Sequence, residues 1–294
     1  MELRTLRYFL TVAREESISG AAAFLHVTQP TLSRQLMELE DQLGKKLFIR
    51  GNRKITLTDE GMLLRKRAEE ILDLVDKTQT EISAEEQIVS GDIYIGGGET
   101  KAMGQIARIS KEMQSLYPNI KFHLYSGNAD EVTERLDKGL LDFGVLIEPA
   151  NITKYDYLPL SSKDVWGVLM RKDSPLASKE AIAPSDLLDV PLISSRQSLV
   201  HKELARWFQC GYERLNIVAI YNLVYNASLL VAEDMGYALC LDKLVNTTGS
   251  SMFCFRPLAP KLEAKLNIVW KKYQIFSKAA AIFLDRLHEE LENN

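Results

Sequence analysis

Gln29, Pro30, Thr31, Ser33 and Arg34 crowd into one short run, and their chemistry is that of recognition. Arginine can pair with both major-groove acceptors of guanine and glutamine with adenine, while serine and threonine bond to base edges or phosphates. Arg50, Arg53 and Lys54 follow in a stretch that also holds Lys45 and Lys46 and contains no acidic residue. Such a cluster suits a nucleic-acid backbone, with Arg53 placed for a minor groove. A net charge of −4 does not oppose this, because binding follows local clusters of charge and not their sum.

Residues for bond-making chemistry are scattered by comparison. His26, His123, His201 and His288 show no metal-ligand spacing, and zinc needs several converging ligands. No Gly-x-Ser-x-Gly elbow occurs, and adjacent carboxylates such as Glu69-Glu70 diverge on a helix. Gly96-Gly97-Gly98-Glu99-Thr100 lacks the lysine of a phosphate loop and the spacing of a dinucleotide site. Neither catalysis, a metal nor a cofactor is expected. Cys210, Cys240 and Cys254 are odd in number and unclustered, which suits free, buried thiols. The chain shows no secretory leader and no apolar run long enough for a bilayer, so a cytoplasmic location without a membrane partner is expected.

A polar reading face needs a helix anchored on its other side. Leu32, Leu36 and Leu39 supply that apolar stripe, and Gln29-Pro30 opens the helix with proline at a tolerated first-turn position. Before it, Leu3, Leu6, Phe9, Leu10 and Ala13 mark a first helix, and Ala21 to Leu25 a short second one with Ser17 or Ser19 as its cap. Gly44 ends the third helix. Two short strands, Leu47 to Arg50 and Lys54 to Leu57, meet across Gly51-Asn52-Arg53 as a basic wing. From Thr58 a longer helix begins, with Leu64, Ala68, Ile71, Val75, Thr78 and Ile82 spaced as the seam of a two-helix coil. A dimer joined there presents two heads to an interrupted inverted repeat of double-stranded DNA.

Beyond Ser90 the pattern alternates. Strands are expected at Ile93 to Ile95, Ile120 to Tyr125 and Leu141 to Ile147, with helices between them, as in a parallel α/β sheet. A second α/β unit starts near Ser161, with strands at Val165 to Met170, Pro191 to Ser194, Asn216 to Ile220 and Tyr237 to Leu241. Its helices are expected at Val200 to Cys210 and Ala227 to Asp234.

Three runs carry a specific resemblance: Ala21-Ala22-x-x-Leu25-x-Val27-Thr28-Gln29-Pro30-Thr31-Leu32-Ser33-x-Gln35-Leu36, Leu39-Glu40-x-x-Leu43-Gly44-x-x-Leu47-Phe48-x-Arg50, and Leu57-Thr58-x-x-Gly61. Together they resemble the winged helix-turn-helix of LysR-type transcriptional regulators, from Leu3 to Gly61. The run Glu131-x-x-x-x-Leu136-x-x-Gly139-x-Leu141-Asp142-Phe143-Gly144-Val145 resembles the same family's effector-binding domain. The resemblance implies a winged head at 1–58, a linker and dimerisation helix at 59–89, and a two-lobed, periplasmic-binding-protein-like α/β domain at 90–294. Lobe I is expected at 90–160 and 266–294 and lobe II at 161–265.

Function follows the same resemblance: promoter binding or activation controlled by a small-molecule effector in the interlobe cleft, by a bacterial homodimer or homotetramer that engages RNA polymerase. The family's DNA contacts fall on Gln29, Pro30, Ser33 and Arg34, with Arg50 and Arg53 in the wing. Thr100 would touch the effector. Gly98, Glu99, Ser126, Asn128, Ser194, Ser195, Gln197, Tyr225 and Asn226 occupy comparable turns at strand ends, where ligands of open α/β sheets sit. Glu99 stands where the family is usually neutral; it could repel an acidic effector, bind an amine or hydroxyl, or face solvent. Arg196 could restore attraction for a carboxylate or pair with Glu99 across the cleft, which leaves the effector's charge open. The alternative is a cytoplasmic solute-binding protein with an appended protein-interaction winged helix.

Overall fold

The computed structural model describes residues 1–51, 54–83, 89–148, 150–195, 202–209 and 214–292. The chain forms two compact units, Met1–Ser83 and Ala84–Asn294.

The first unit runs α1 (Leu3–Glu15), α2 (Ile18–Phe24), α3 (Gln29–Leu43), β1 (Phe48–Arg50), β2 (Ile55–Leu57) and α4 (Asp59–Ser83). Leu6, Phe9 and Val12 of α1 pack with Ala21, Ala22, Leu32, Leu36 and Leu39 in one buried core. Leu3 is 43% exposed, so the stripe of α1 begins one turn later than its spacing suggests. Two glycines shape this unit. Gly44, at φ 65°, ends α3 in the left-handed conformation that costs glycine little. A Cβ on Gly61 would lie 2.2 Å from the Leu47 carbonyl oxygen, so only glycine lets α4 start against the wing.

α4 is more than a connector. Ala68 and Leu72 are buried in the head's own core, with Leu64 and Ile71 partly packed against it, and Arg7 Nη2 lies 2.7 Å from Asp76 Oδ1 between α1 and α4. The seam expected at Leu64, Ala68, Ile71, Val75, Thr78 and Ile82 is therefore divided. Its first half faces the same chain, because small Ala68 lets α1 approach closely. Exposed apolar side chains instead include Leu63, Leu74 and Ile82, the last 80% exposed.

In the second unit the first sheet has the order β4-β3-β5-β13-β6, from β3 (Gly91–Gly97), β4 (Ile120–Ser126), β5 (Phe143–Ile147), β6 (Tyr155–Pro159) and β13 (Leu266–Lys271). Helices α5 (Met103–Leu116) and α6 (Ala129–Asp137) connect the parallel strands β3, β4 and β5. The second sheet has the order β11-β7-β10-β8-β9, with β12 paired to β7. Its strands are β7 (Asp164–Arg171), β8 (Leu192–Ser195), β9 (Ile217–Tyr221), β10 (Tyr237–Leu241), β11 (Phe253–Pro257) and β12 (Glu263–Ala264), with helices α7 (Lys202–Phe208) and α8 (Val224–Ala232).

The chain passes between the sheets after β6 and again after β12, and β13 then pairs antiparallel with both β5 and β6. The final helix, α9 (Lys278–Glu292), packs Phe283 against Phe143, ring centroids 5.1 Å apart, and so closes the first lobe. Both sheets are mixed and not purely parallel: β7 runs antiparallel to β10 and β11.

One buried charge positions α3 against the wing. The Glu40 carboxylate of α3 accepts from the Leu47 amide at 2.8 Å and from Lys46 Nζ at 2.7 Å. Burial opposes its ionisation, but Lys46 and the Leu47 and Phe48 amides outweigh that and hold its pKa below the ordinary value. The ionised form is thus favoured by folding. Its contribution is present above the unfolded carboxylate value and is lost as pH falls through the lower folded one. Glu40→Ala should destabilise the head by about 1–3 kcal/mol, since it strands buried amides. Thermal unfolding followed from pH 7 downward should show wild type losing more stability on acidification than Glu40→Gln.

Candidate DNA interface and effector cleft

α3 is set by its ends. The Thr28 hydroxyl caps it, accepting from the Thr31 amide at 3.4 Å and lying 2.8 Å from the Thr31 hydroxyl, and Pro30 sits in the first turn. Leu32, Leu36 and Leu39 are at most 3% exposed. Gln29, Pro30, Thr31 and Arg34 are exposed on the other side, with Ser33 half-buried between. The Arg34 guanidinium is held loosely by Glu38, 3.8 Å away, and two exposed groups at that distance contribute little to stability. Arg34 is thus available to a stronger, planar acceptor pair.

The wing's outgoing strand is tied back to α1: the Ile55 amide donates to the Glu16 carbonyl at 2.9 Å, and Lys54 Nζ lies 3.2 Å from the Glu16 carboxylate. Lys45 and Lys46 are likewise beside Glu60 and Glu40. The sequence cluster looked wholly cationic because its counter-charges come from elsewhere in the chain. All three lysines stay well exposed, and the surface pairs of Lys45 with Glu60 and Lys54 with Glu16 exchange partners readily. The side chain of Arg50 and the whole of Arg53 lie outside the described residues.

A cleft of about 500 Å³, including the part open to solvent, lies where the strand ends of the two sheets meet. Gly98, Glu99, Asn128 and Ser195 line it as the sequence suggests, together with Gly127. The remaining wall is Ile147, Trp166, Tyr221, Asn222, Val224, Leu241 and Leu244, none of which sequence reasoning singled out. The apolar members look like ordinary core residues at strand ends.

Several expected members lie elsewhere. The Thr100 hydroxyl is buried and donates to the Asp164 carboxylate. Ser194 is fully buried, and strand alternation sends only its neighbour Ser195 toward the cleft. β4 continues through Ser126, whose side chain is exposed, and Tyr225 and Asn226 are exposed on α8. α8 starts at Val224, earlier than expected, so the cleft faces Tyr221 to Val224 instead. Asn128 caps α6 reciprocally with Glu131, each accepting at 3.0 Å. Gln197 and Arg196 lie outside the described residues.

Glu99 lines the cleft and is half-buried. Its carboxylate accepts from the Val224 amide, the first helical residue of α8. Nearby, burial and then Cys240 and Glu99 push the Tyr221 phenol well above its ordinary pKa, and its hydroxyl donates to the Leu239 carbonyl at 2.7 Å. Burial likewise pushes the Cys240 thiol up to about 12, so it is an inert, packed thiol. No cluster of metal-binding side chains occurs among the described residues, and no helix among them is long and apolar enough to cross a membrane.

Comparison with known proteins joins the two units. The family described as "Bacterial regulatory helix-turn-helix protein, lysR family" matches residues 3–62, and "LysR substrate binding domain" matches 86–292. The transcriptional regulator YvbU of Bacillus subtilis is 27% identical over 293 residues, 98% of each chain. HcaR, the Hca operon transcriptional activator of Escherichia coli, is 28% identical over 281 residues, 92% of each. Among solved structures, CbnR, a LysR family transcriptional regulator, superposes with a TM-score of 0.77 at 18% identity, covering 99% of both chains. CbnR bound to its target DNA superposes at 0.75 with 19% identity, covering 98% of this chain and 99% of that one. One family thus accounts for the capped, leucine-anchored helix of the head and for the two-sheet unit with its cleft. The chain belongs to the LysR family, as a DNA-binding transcriptional regulator with a substrate-binding domain and not an enzyme.

Proposed function

We propose that α3 enters the major groove with Gln29, Pro30, Thr31, Ser33 and Arg34 toward the bases, while Arg50, Arg53 and Lys54 hold the flanking backbone. The observation that carries this reading is the two-sidedness of α3: three buried leucines fix it, and an uncovered polar face is left with only weak internal partners. In this reading two heads joined as a dimer, or four as a tetramer, meet an interrupted inverted repeat at a promoter in the cytoplasm, where RNA polymerase is the further partner.

A small-molecule effector in the cleft would control that binding by favouring one of two quaternary arrangements, and its leverage equals its difference in affinity for the two. No cofactor is required by this scheme. Exposed Leu63, Leu74 and Ile82 on α4 suit the dimer contact better than the half-seam already used inside the head.

Promoter fragments recovered by genome-wide mapping of bound sites supply the DNA. On such a fragment Arg34→Ala should weaken specific binding by about 1–3 kcal/mol and relax preference at one base position, read by fluorescence anisotropy across operator variants. Lys54→Ala, in the same assay, should weaken all sequences alike and lower the slope of log affinity against log salt by about 1. An Arg34→Ala protein with unaltered preference among variants would remove Arg34 from base reading. The double substitution Leu74→Asp with Ile82→Asp should shift the sedimentation profile toward monomer, whereas Ile71→Asp should instead lower the melting temperature of the head.

A further inference from the structure

Glu99 belongs to the turn between β3 and α5 in one lobe, and Val224 begins α8 in the other. The first amides of a helix are where an acidic ligand is best received, because they lack helical partners and sit at the positive end of the dipole. Here the chain's own carboxylate already holds the Val224 amide. The next residue adds a second tie, since Thr100 donates to Asp164 at the start of β7 while its oxygen accepts from the Ala102 amide at 3.0 Å. The turn is thereby fixed, and Glu99 stays in the cleft.

Among the described lining residues no cation stands against that charge. Ile147, Trp166, Val224, Leu241 and Leu244 are apolar, and Glu99 is the one charged side chain among the described lining residues. Asn128, one of the neutral polar groups, is engaged in capping α6. Resting on the reading of this cleft as the effector site, we propose that Glu99 sets the class of ligand: a small amine with an apolar body, with carboxylates refused. A carboxylate would meet like charge in a half-buried site and find the α8 amide occupied. An amine donates to the Glu99 carboxylate, which can accept several hydrogen bonds at once, and its apolar part lies against Trp166, whose ring face also attracts a cation.

The test uses two probes with the same ring and opposite charge, benzylamine and benzoate, titrated calorimetrically at pH 7 into full-length protein. Wild type should bind benzylamine and show no heat with benzoate at the same concentrations. Glu99→Gln should weaken benzylamine by about tenfold or more and gain benzoate binding.

A wild type that binds neither probe, or binds benzoate as tightly as benzylamine, overturns the assignment. So does a preference that Glu99→Gln leaves unchanged. Promoter affinity is measured alongside, with and without benzylamine. The expected charge preference without any change in promoter affinity or quaternary state would leave the Glu99 assignment standing and contradict the effector reading alone.

Discussion

In the proposed reading α3 has to satisfy two media at once, and that constraint decides most of the head. Leu32, Leu36 and Leu39 must be dry for the helix to have a fixed direction, and Gln29, Pro30, Thr31 and Arg34 must stay wet until DNA arrives. The rest of the unit serves this division. α1 and α2 supply the apolar partners, and Thr28 and Gly44 fix where the helix begins and stops. Glu40 reaches from the same helix to the Leu47 amide, so the wing is registered against the reading face by a buried charge-assisted bond. α4 contributes Ala68 and Leu72 to that core, which couples α4 directly to the direction of α3.

The second unit solves a different problem with a related device. Its two sheets bring strand ends and the start of α8 around one cleft, a geometry that collects amides pointing at a common space. In the head, a carboxylate aimed at backbone amides fixes the wing; in the cleft, Glu99 aimed at the Val224 amide ties the two lobes. In the proposed reading, a ligand that bonds to Glu99 adds to the contact that relates the lobes, and differential affinity for two arrangements is what regulation by a ligand requires.

The head was legible because its signals are local. A cap, a proline and leucines at helical spacing lie within a few residues of one another, and each excludes alternatives on its own. α4 was read less well, since a heptad-like spacing does not say whether its apolar face meets a partner or the same chain, and the half around small Ala68 meets the same chain. In the second unit, β6 was missed because Tyr155 to Pro159 has no alternation of buried and exposed residues, and β11 because Phe253 to Pro257 is mostly half-buried. The cleft was the least legible part. Glu99 and Val224 are 125 residues apart, so the cap that lets α8 begin before Tyr225 is invisible to any local pattern. Trp166, Leu241 and Leu244 carry no mark that separates a cleft wall from a core.

The account stands on base reading by α3 in the major groove, and methylation interference addresses that contact directly. Guanines methylated at N7 carry a blocking group in the major groove alone, against the acceptor that an arginine such as Arg34 would use. On a promoter fragment bound by the full-length protein, the account predicts that methylation abolishes binding at guanines placed symmetrically in two half-sites whose centres lie about one or more helical turns apart. Binding that tolerates N7 methylation throughout the site would contradict it, and would mean that the protein holds this DNA by its backbone.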